Sequence, residues 1–212
     1  MKFEAIIFDL DGVICHTDQY HYKAWKQIAD EKNIYFDESI NNRLRGVSRM
    51  ESLDIILERY EGIITDDEKQ LIATRKNDIY LQLLQDMDQN DLTIEVRETL
   101  KKLRRMGFLL AIGSSSKNAG FILDRLGLGN YFDAVSDGTN IEKSKPDPEV
   151  FLKAAQYISC QPAECLVVED AKAGIDAARQ GGFKSAGLGE AYDYSKTDYP
   201  ISEFQQLLRI VD

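Results

Sequence analysis

Three short, continuous apolar runs constrain the fold of this chain more than any other feature of its sequence. They lie at residues 5–8, 109–112 and 165–168, and polar side chains follow each of them within two residues. A strand that is apolar throughout is buried on both faces, which is typical of a parallel sheet covered by helices. Helical periodicity lies between the runs. The sequence therefore predicts a doubly wound, Rossmann-like α/β fold.

The helices that connect these strands are predicted from apolar residues three or four positions apart. Val96, Leu100 and Leu103 mark one helix, and similar spacing occurs within 151–158 and 171–178. The pair Asp147 and Pro148 predicts the start of the second helix, because aspartate caps helix N-termini and proline is tolerated in the first turn.

The segment between the first apolar run and Val96 has the pattern of consecutive helices, with no convincing strand. Two of these helices begin with capping boxes, in which side chains satisfy free backbone N–H groups. The two boxes are Ser48 with Glu51 and Thr65 with Glu68. We therefore predict an all-helical cap domain at residues 17–87, inserted into an α/β core of residues 1–16 and 88–212.

Composition limits the function further. The chain has 212 residues, of which 43% are apolar and 29% charged, as in a soluble globular protein with one core and a smaller insert. Its net charge of −10 disfavours nucleic acid and anionic membranes as partners. No apolar run approaches the ~18 residues that span a bilayer, so we expect a cytoplasmic protein. We also expect a monomer. Its three cysteines lack Cys-x-x-Cys spacing, so no disulfide or zinc site is predicted.

Polar residues that could carry chemistry follow the predicted strands. Asp9 and Asp11 follow the first run, Ser114 the second, and the acidic pair 169–170 the third. Ligands of open α/β sheets bind at the carboxyl ends of the strands, so we expect these side chains to converge. An Asp-x-Asp pair alone is often a turn, and the prediction depends on several segments meeting, with Lys145 among them.

These segments, in this order, resemble the four motifs of the haloacid-dehalogenase-type phosphotransferases over the whole chain. The matching residues are Asp9-Leu10-Asp11-Gly12-Val13, Ser114, Lys145-Pro146 and Glu169-Asp170. The resemblance implies that Asp9 is the nucleophile that accepts a phosphoryl group. It also implies that Asp11 is the general acid and base, and that Ser114 and Lys145 hold the transferring group.

The same resemblance implies one Mg²⁺ per active site. A phosphate approaching several carboxylates is repelled, by ~4 kcal/mol for each pair of unit charges at ~4 Å and an effective dielectric of about 20. Hard oxygen ligands select Mg²⁺ to cancel that charge. The implied ligands are Asp9, the backbone carbonyl of Asp11, and Asp170. Glu169 is either a further residue of the metal shell or the residue that holds Asp170 and Lys145 in place.

The predicted cap resembles one branch of this superfamily, the phosphosugar mutases that interconvert β-glucose 1-phosphate and glucose 6-phosphate. The matching segments lie at residues 20–25, 46–49, 75–78 and 114–118. The branch implies an aspartyl-phosphate enzyme, with β-glucose 1,6-bisphosphate as intermediate and primer. The implied substrate-binding residues are His21, Trp25, Gly46, Val47, Ser48, Arg49, Ser52, Lys76, Ser116, Lys117 and Asn118.

Arg49 also carries a physical argument for specificity. It lies in the first turn of a predicted helix, so its guanidinium and free backbone N–H groups would face a phosphate together. The alternative is an ordinary surface charge near acidic neighbours. Trp25 is either a core residue or a wall of the sugar site. Without the resemblance, His21 and Lys76 would be ordinary helix-surface residues.

Two alternative functions remain at this stage. A sugar-phosphate phosphatase of the same superfamily would transfer the phosphoryl group from Asp9 to water, and would need no second phosphate site. A catalytically silent binding protein would have lost a chemical residue, and none of the motif residues is missing.

His16, beside Thr17 at the predicted hinge, stands where relatives commonly carry an acidic residue. This difference leaves the listed chemistry unchanged, but the rate of cap closure does not follow from the resemblance.

Overall fold

A computed structural model describes residues 3–44 and 47–212 of the chain. Their strands form one sheet of six, in the order β3-β2-β1-β4-β5-β6, and every neighbouring pair is parallel. The strands are β1 (Ala5–Phe8), β2 (Leu109–Gly113), β3 (Ala134–Ser136), β4 (Cys165–Glu169), β5 (Lys184–Gly187) and β6 (Tyr199–Pro200). The predicted doubly wound α/β sheet is confirmed.

The helices fall into two groups along the chain. Between β1 and β2 lie α1 (Asp18–Lys32), α2 (Glu38–Asn42), α3 (Arg49–Leu57), α4 (Asp66–Leu83) and α5 (Ile94–Arg105). The helices that follow β2 are α6 (Ala119–Arg125), α7 (Glu149–Tyr157), α8 (Lys172–Gln180) and α9 (Leu207–Val211). Within 3–44 and 47–212, no helix combines the length and apolar character that a membrane crossing requires.

The central strand β1 is buried on both faces, as its apolar run predicts. Ile6 and Phe8 belong to one buried hydrophobic cluster, while Ala5 and Ile7 belong to a second cluster on the other side of the sheet. Alternate residues of a strand point to opposite faces, so a run without a polar position is what this double burial requires.

The first four helices form the predicted helical cap. Both capping boxes are confirmed, with Ser48 and Glu51 capping α3, and Thr65 and Glu68 capping α4. Two short 3₁₀ turns, Leu84–Asp86 and Gln89–Asp91, connect α4 to α5 of the core. The division of the chain after residues 16 and 87 stays a prediction.

The structure moves two predicted helix starts. The sequence also predicts that a helix begins with Ser116, Lys117 and Asn118, but α6 begins at Ala119, and the residues before it form a loop at the end of β2. The helix α7 begins one residue after Pro148, although Asp147 still accepts a hydrogen bond from the Glu149 N–H at 3.0 Å. The strands β3, β5 and β6 were not predicted.

Replacing Leu100 with alanine is expected to destabilise the core. Leu100 of α5 is 1% exposed, so the change removes buried apolar contacts and leaves a cavity, at a cost of about 2–5 kcal/mol in the free energy of unfolding. Urea denaturation measures this cost. The control is Ile94→Ala on the same helix, where the side chain is 80% exposed, and it should change stability by less than about 0.5 kcal/mol. Equal effects of the two changes would contradict this packing.

Candidate active site

The carboxyl edge of the sheet brings the predicted chemical residues together. Asp9 follows β1, Ser114 follows β2 and Glu169 ends β4, and these three strands are neighbours. Ser114 is 1% exposed, and its Oγ accepts a hydrogen bond from the Ser116 N–H at 3.1 Å. The Ser114 hydroxyl proton is therefore available for an acceptor in the adjoining cavity.

Lys145 links two of these strand ends. Its side chain is 1% exposed, and its Nζ donates hydrogen bonds to Asp9 Oδ1 and, at 2.6 Å, to Glu169 Oε1. The ammonium also lies 4.6 Å from the ring centroid of Phe151. Burial lowers the pKa of Lys145, but the negative charges of Asp9 and Glu169 outweigh burial and raise that pKa above its ordinary value. The lysine is a permanent positive charge at this edge.

Glu169 uses both carboxylate oxygens within the protein. Oε1 accepts from Lys145, and Oε2 accepts from the Ala171 N–H at 2.8 Å. A Cβ at Gly174 would lie only 1.9 Å from Oε1, so the glycine makes room for the Glu169 side chain. Of the two roles open from the sequence, these contacts favour the one that holds Lys145 and the following turn in place. Its role as a metal ligand stays a prediction.

Asp9 is buried and Asp170 is half-buried, and each carboxylate disfavours the charge of the other. Burial raises the pKa of Asp9 to about 8, with Lys145 opposing and Glu169 adding to the shift. Burial likewise raises the pKa of Asp170 to about 9, and the charges of Glu169 and Asp9 add to it. Gly12, at φ +95°, lets the Asp170 carboxylate lie close to the backbone that follows Asp9, because a Cβ at Gly12 would lie 2.2 Å from Asp170 Oδ2.

The chemistry of these donors fits Mg²⁺. In the described part of the chain, no three His, Cys, Asp or Glu side chains converge as a metal-binding group. The implied set does not require three, because it uses the side chains of Asp9 and Asp170 and the backbone carbonyl of Asp11. Burial raises the pKa of both carboxyl groups, so a cation that binds them would stabilise their charged forms. Hard oxygen donors in that condition suit a small divalent cation.

Asp11 contacts the residue that precedes α1. Its side chain is half-buried, and Thr17 Oγ1 donates a hydrogen bond to its Oδ1. Burial raises the pKa of Asp11, while the hydrogen bond from Thr17 opposes that rise. Thr17 ends the segment that leads into α1, so the carboxyl group expected to transfer protons is tied to the residue where the cap begins.

The cap places a basic and aromatic cluster opposite this edge. Lys76 is 2% exposed, and its Nζ lies 2.7 Å from His21 Nδ1 and 5.2 Å from the ring centroid of Trp25. The Tyr80 ring stacks on His21 with centroids 4.1 Å apart. Burial, and then the charge of Lys76, lowers the pKa of His21 well below its ordinary value. Trp25 is 2% exposed and lines the cavity, so it is both a core residue and a wall of the site.

A cavity of about 390 Å³ lies between the core edge and the cap. Every described residue of the predicted site lines it, and Gly46 lies outside the described residues. The lining residues from the sequence prediction are Asp9, Asp11, His21, Trp25, Val47, Ser48, Arg49, Ser52, Lys76, Ser114, Ser116, Lys117, Asn118, Lys145, Glu169 and Asp170. This volume lies within the ~300–1,000 Å³ range of small-molecule sites.

Arg49 is part of this site and not an isolated surface charge. Its Nη2 donates to Asn77 Oδ1 at 2.7 Å, and Asn118 Nδ2 donates to the same oxygen at 2.9 Å. The ion pairs between described residues do not include Arg49. Its charge is therefore available to an anion in the cavity, next to Asn118 and Ser116.

Sequence reasoning gave no role to three residues that organise the site. They are Thr17 on Asp11, Tyr80 on His21, and Asn77 between Arg49 and Asn118. Tyr80 is one helical turn beyond Lys76 on α4, and this spacing was an available signal. The contacts of Asn77 join segments 28 and 41 residues away and had no local signal.

Comparisons with known proteins place the chain beside sugar-phosphate enzymes. Residues 3–182 match the haloacid dehalogenase-like hydrolases. The chain is 40% identical to the β-phosphoglucomutase of Bacillus subtilis over 206 residues, 96% of this chain and 91% of the relative. The structure of a β-phosphoglucomutase from Clostridium difficile superposes with a TM-score of 0.89 and 37% identity, covering 97% and 93% of the two chains.

A phosphatase is also similar to this chain. The fructose-1-phosphate phosphatase of Escherichia coli is 32% identical over 181 residues, which cover 85% of this chain and 94% of the relative. The chain is therefore similar in sequence both to a mutase and to a phosphatase.

Replacing Lys76 with methionine is expected to change how stability depends on pH. Burial lowers the pKa of Lys76 to about 7, whereas a lysine in the unfolded chain titrates near ~10.4. Between these values the unfolded wild type binds more protons than the folded protein, so its free energy of unfolding rises with pH. The methionine variant lacks this rise.

Urea denaturation of both proteins at pH 7 to 10 measures the difference, and groups common to both proteins cancel in it. Any stability advantage of Lys76→Met over wild type should shrink steadily as the pH rises through this range. A constant difference would mean that Lys76 does not change its charge there.

Proposed function

Because the chain belongs to the haloacid dehalogenase-like hydrolase family, we propose that it is a phosphosugar mutase. It interconverts β-glucose 1-phosphate and glucose 6-phosphate through an aspartyl-phosphate at Asp9 and a β-glucose 1,6-bisphosphate intermediate. One observation carries this proposal. One cavity holds a reacting set of groups at the core edge and, apart from them, two hydrogen-bond donors for an anion, Arg49 from the cap and Asn118 from the loop after β2.

The core edge supplies the groups for phosphoryl transfer. A carboxylate oxygen of Asp9 forms a bond to phosphorus as the bond from phosphorus to a sugar oxygen breaks. Asp11 protonates the departing sugar oxygen and removes the proton from the sugar hydroxyl that attacks in the return step. Lys145 and Ser114 stabilise charge on the transferring group. Bound Mg²⁺, held by Asp9, Asp170 and the Asp11 carbonyl, would supply further charge neutralisation.

The cap side supplies the second phosphate site. A mutase must hold a bisphosphate with one phosphate at Asp9 and the other at a distance, and must accept the sugar in either orientation. Arg49 lines the cavity from α3, and the ion pairs between described residues do not include it. Ser116, Lys117 and Asn118 line the same cavity, and Asn118 shares the Asn77 oxygen with Arg49. These donors suit a phosphate that does not react.

The cap also excludes water, which competes with the second sugar hydroxyl for the phosphorylated Asp9. His21, Trp25 and Lys76 line the cavity from the cap and are largely buried. A closed, dry site prolongs the life of the aspartyl-phosphate and strengthens its electrostatic contacts. The proposal includes opening and closing of the cap between the two half-reactions.

The second candidate is a sugar-phosphate phosphatase, which the similarity to the Escherichia coli enzyme supports. Its phosphorylated Asp9 would react with water. The distal donors favour the mutase, because hydrolysis of a monophosphate needs no second phosphate site.

An assay of products separates these two functions. We expect the purified protein, with Mg²⁺ and a glucose 1,6-bisphosphate primer, to convert β-glucose 1-phosphate to glucose 6-phosphate and to release little free phosphate. The α anomer, offered in parallel, should react poorly. The control Asp9→Asn should abolish both turnover and the phosphoenzyme, since an amide is not a nucleophile. Stoichiometric release of phosphate would establish the phosphatase instead.

Replacing Arg49 with alanine is expected to weaken binding of the distal phosphate alone. The change removes a charge-assisted interaction of ~1.5–3 kcal/mol, which is roughly 10–150-fold in kcat/KM for the bisphosphate. Phosphorylation of Asp9 by acetyl phosphate, which has no second phosphate, should be nearly unchanged. The matched control is Arg75→Ala, another cap arginine, which pairs with Glu31 and is 59% exposed. An equal loss of rate with the bisphosphate and with acetyl phosphate would mean that Arg49 acts on the reacting phosphoryl group or on folding.

A further inference from the structure

Asn77 lies outside the cavity and contacts one lining residue from the cap and one from the core. It lies on α4 beside Lys76, is half-buried, and is not among the residues that line the cavity. Its Oδ1 accepts hydrogen bonds from Arg49 Nη2 at 2.7 Å and from Asn118 Nδ2 at 2.9 Å, and both of these donors do line it. A guanidinium has donors only, so the amide oxygen must be the atom that faces Arg49.

This shared oxygen bridges two domains. Arg49 and Asn77 belong to the helical cap, while Asn118 lies in the loop after β2 of the core. The hydrogen bond between Asn77 and Asn118 forms only when cap and core are close. The same contact therefore orients Arg49 and Asn118 and is present only when the cap is closed.

A neutral acceptor at this position keeps the guanidinium charge available. A carboxylate in place of the amide would accept the same two hydrogen bonds but would cancel the charge of Arg49. Arg49 uses one N–H on Asn77 and has other N–H donors left for a ligand. An amide at residue 77 thus orients the arginine without competing with a phosphate for its charge.

We propose that Asn77 is a positioning residue that aligns Arg49 and Asn118 as paired donors to the distal phosphate and couples occupancy of that site to cap closure. The inference rests on the proposed function, since that function supplies the distal phosphate. Asn77 touches neither the reacting atoms nor the cavity, and it acts through the two residues it holds.

Two substitutions separate the position of Arg49 from its charge. Asn77→Ala removes both hydrogen bonds, so the ligand-free protein should open and the KM for the bisphosphate should rise roughly 10-fold with kcat nearly unchanged. Asn77→Asp keeps both hydrogen bonds and pairs with Arg49, so the ligand-free protein should stay closed. Its KM should nevertheless rise more than that of the alanine variant, because the charge of Arg49 is cancelled.

The experiment measures closure and affinity on the same full-length proteins. Small-angle scattering without ligand reports closure, and calorimetric titration with glucose 6-phosphate reports affinity without requiring turnover. The control is Gln82→Ala, which removes an exposed amide from the same helix away from the cavity. We expect affinity to fall in the order wild type, Ala, Asp, while closure is retained in Asp and lost in Ala.

The aspartate variant should be closed but bind more weakly than the open alanine variant. A merely structural role of Asn77 would not produce this result. The proposal is overturned if both variants behave as Gln82→Ala does, or if affinity simply follows closure or thermal stability in both variants. Failure of the proposed function appears separately, as a wild type that forms no glucose 6-phosphate from β-glucose 1-phosphate, and the titration series still decides the role of Asn77.

Discussion

The buried ammonium of Lys145 is the interaction on which the rest of the site depends. It is 1% exposed and donates hydrogen bonds to Asp9 and Glu169, which lie at the ends of neighbouring strands. Breaking a buried ionic cluster by removing one partner costs about 3–5 kcal/mol, because the remaining charge is left uncompensated. Lys145 thus allows the sheet to present several carboxylates at one edge. A divalent cation would stabilise the charged forms of Asp9 and Asp170, whose pKa values burial raises.

The cap places two positively charged side chains, Arg49 and Lys76, opposite this edge. The ion pairs between described residues include neither Arg49 nor Lys76. Arg49 is held by an amide oxygen, and Lys76 lies against His21 and aromatic rings, where burial lowers its pKa to about 7. Buried cations without anions are costly, and a phosphate-bearing ligand would supply the missing charge. Under the proposed function, electrostatics would therefore link substrate binding to cap closure.

Local patterns predicted much of the fold but not all of it. The three apolar runs and both capping boxes are in the structure, because burial on two faces and capping leave direct marks on the sequence. The strands β3 and β6 were missed since they have only three and two residues. The strand β5 was missed because it contains Lys184 and Gly187, which are poor strand residues. Sheet pairing overrides such weak propensities.

The sequence by itself predicted that Asp9, Ser114 and Glu169 meet at the core edge, because each follows a recognisable strand and parallel strands end at one edge. It also identified Arg49, through a helix start and a family resemblance. Only the tertiary structure assigned both oxygens of Glu169, placed Thr17 on Asp11, and joined Asn77 to Asn118. These contacts bring together segments whose separation along the chain leaves no periodic or local signature, and packing of the cap on the core alone decides them.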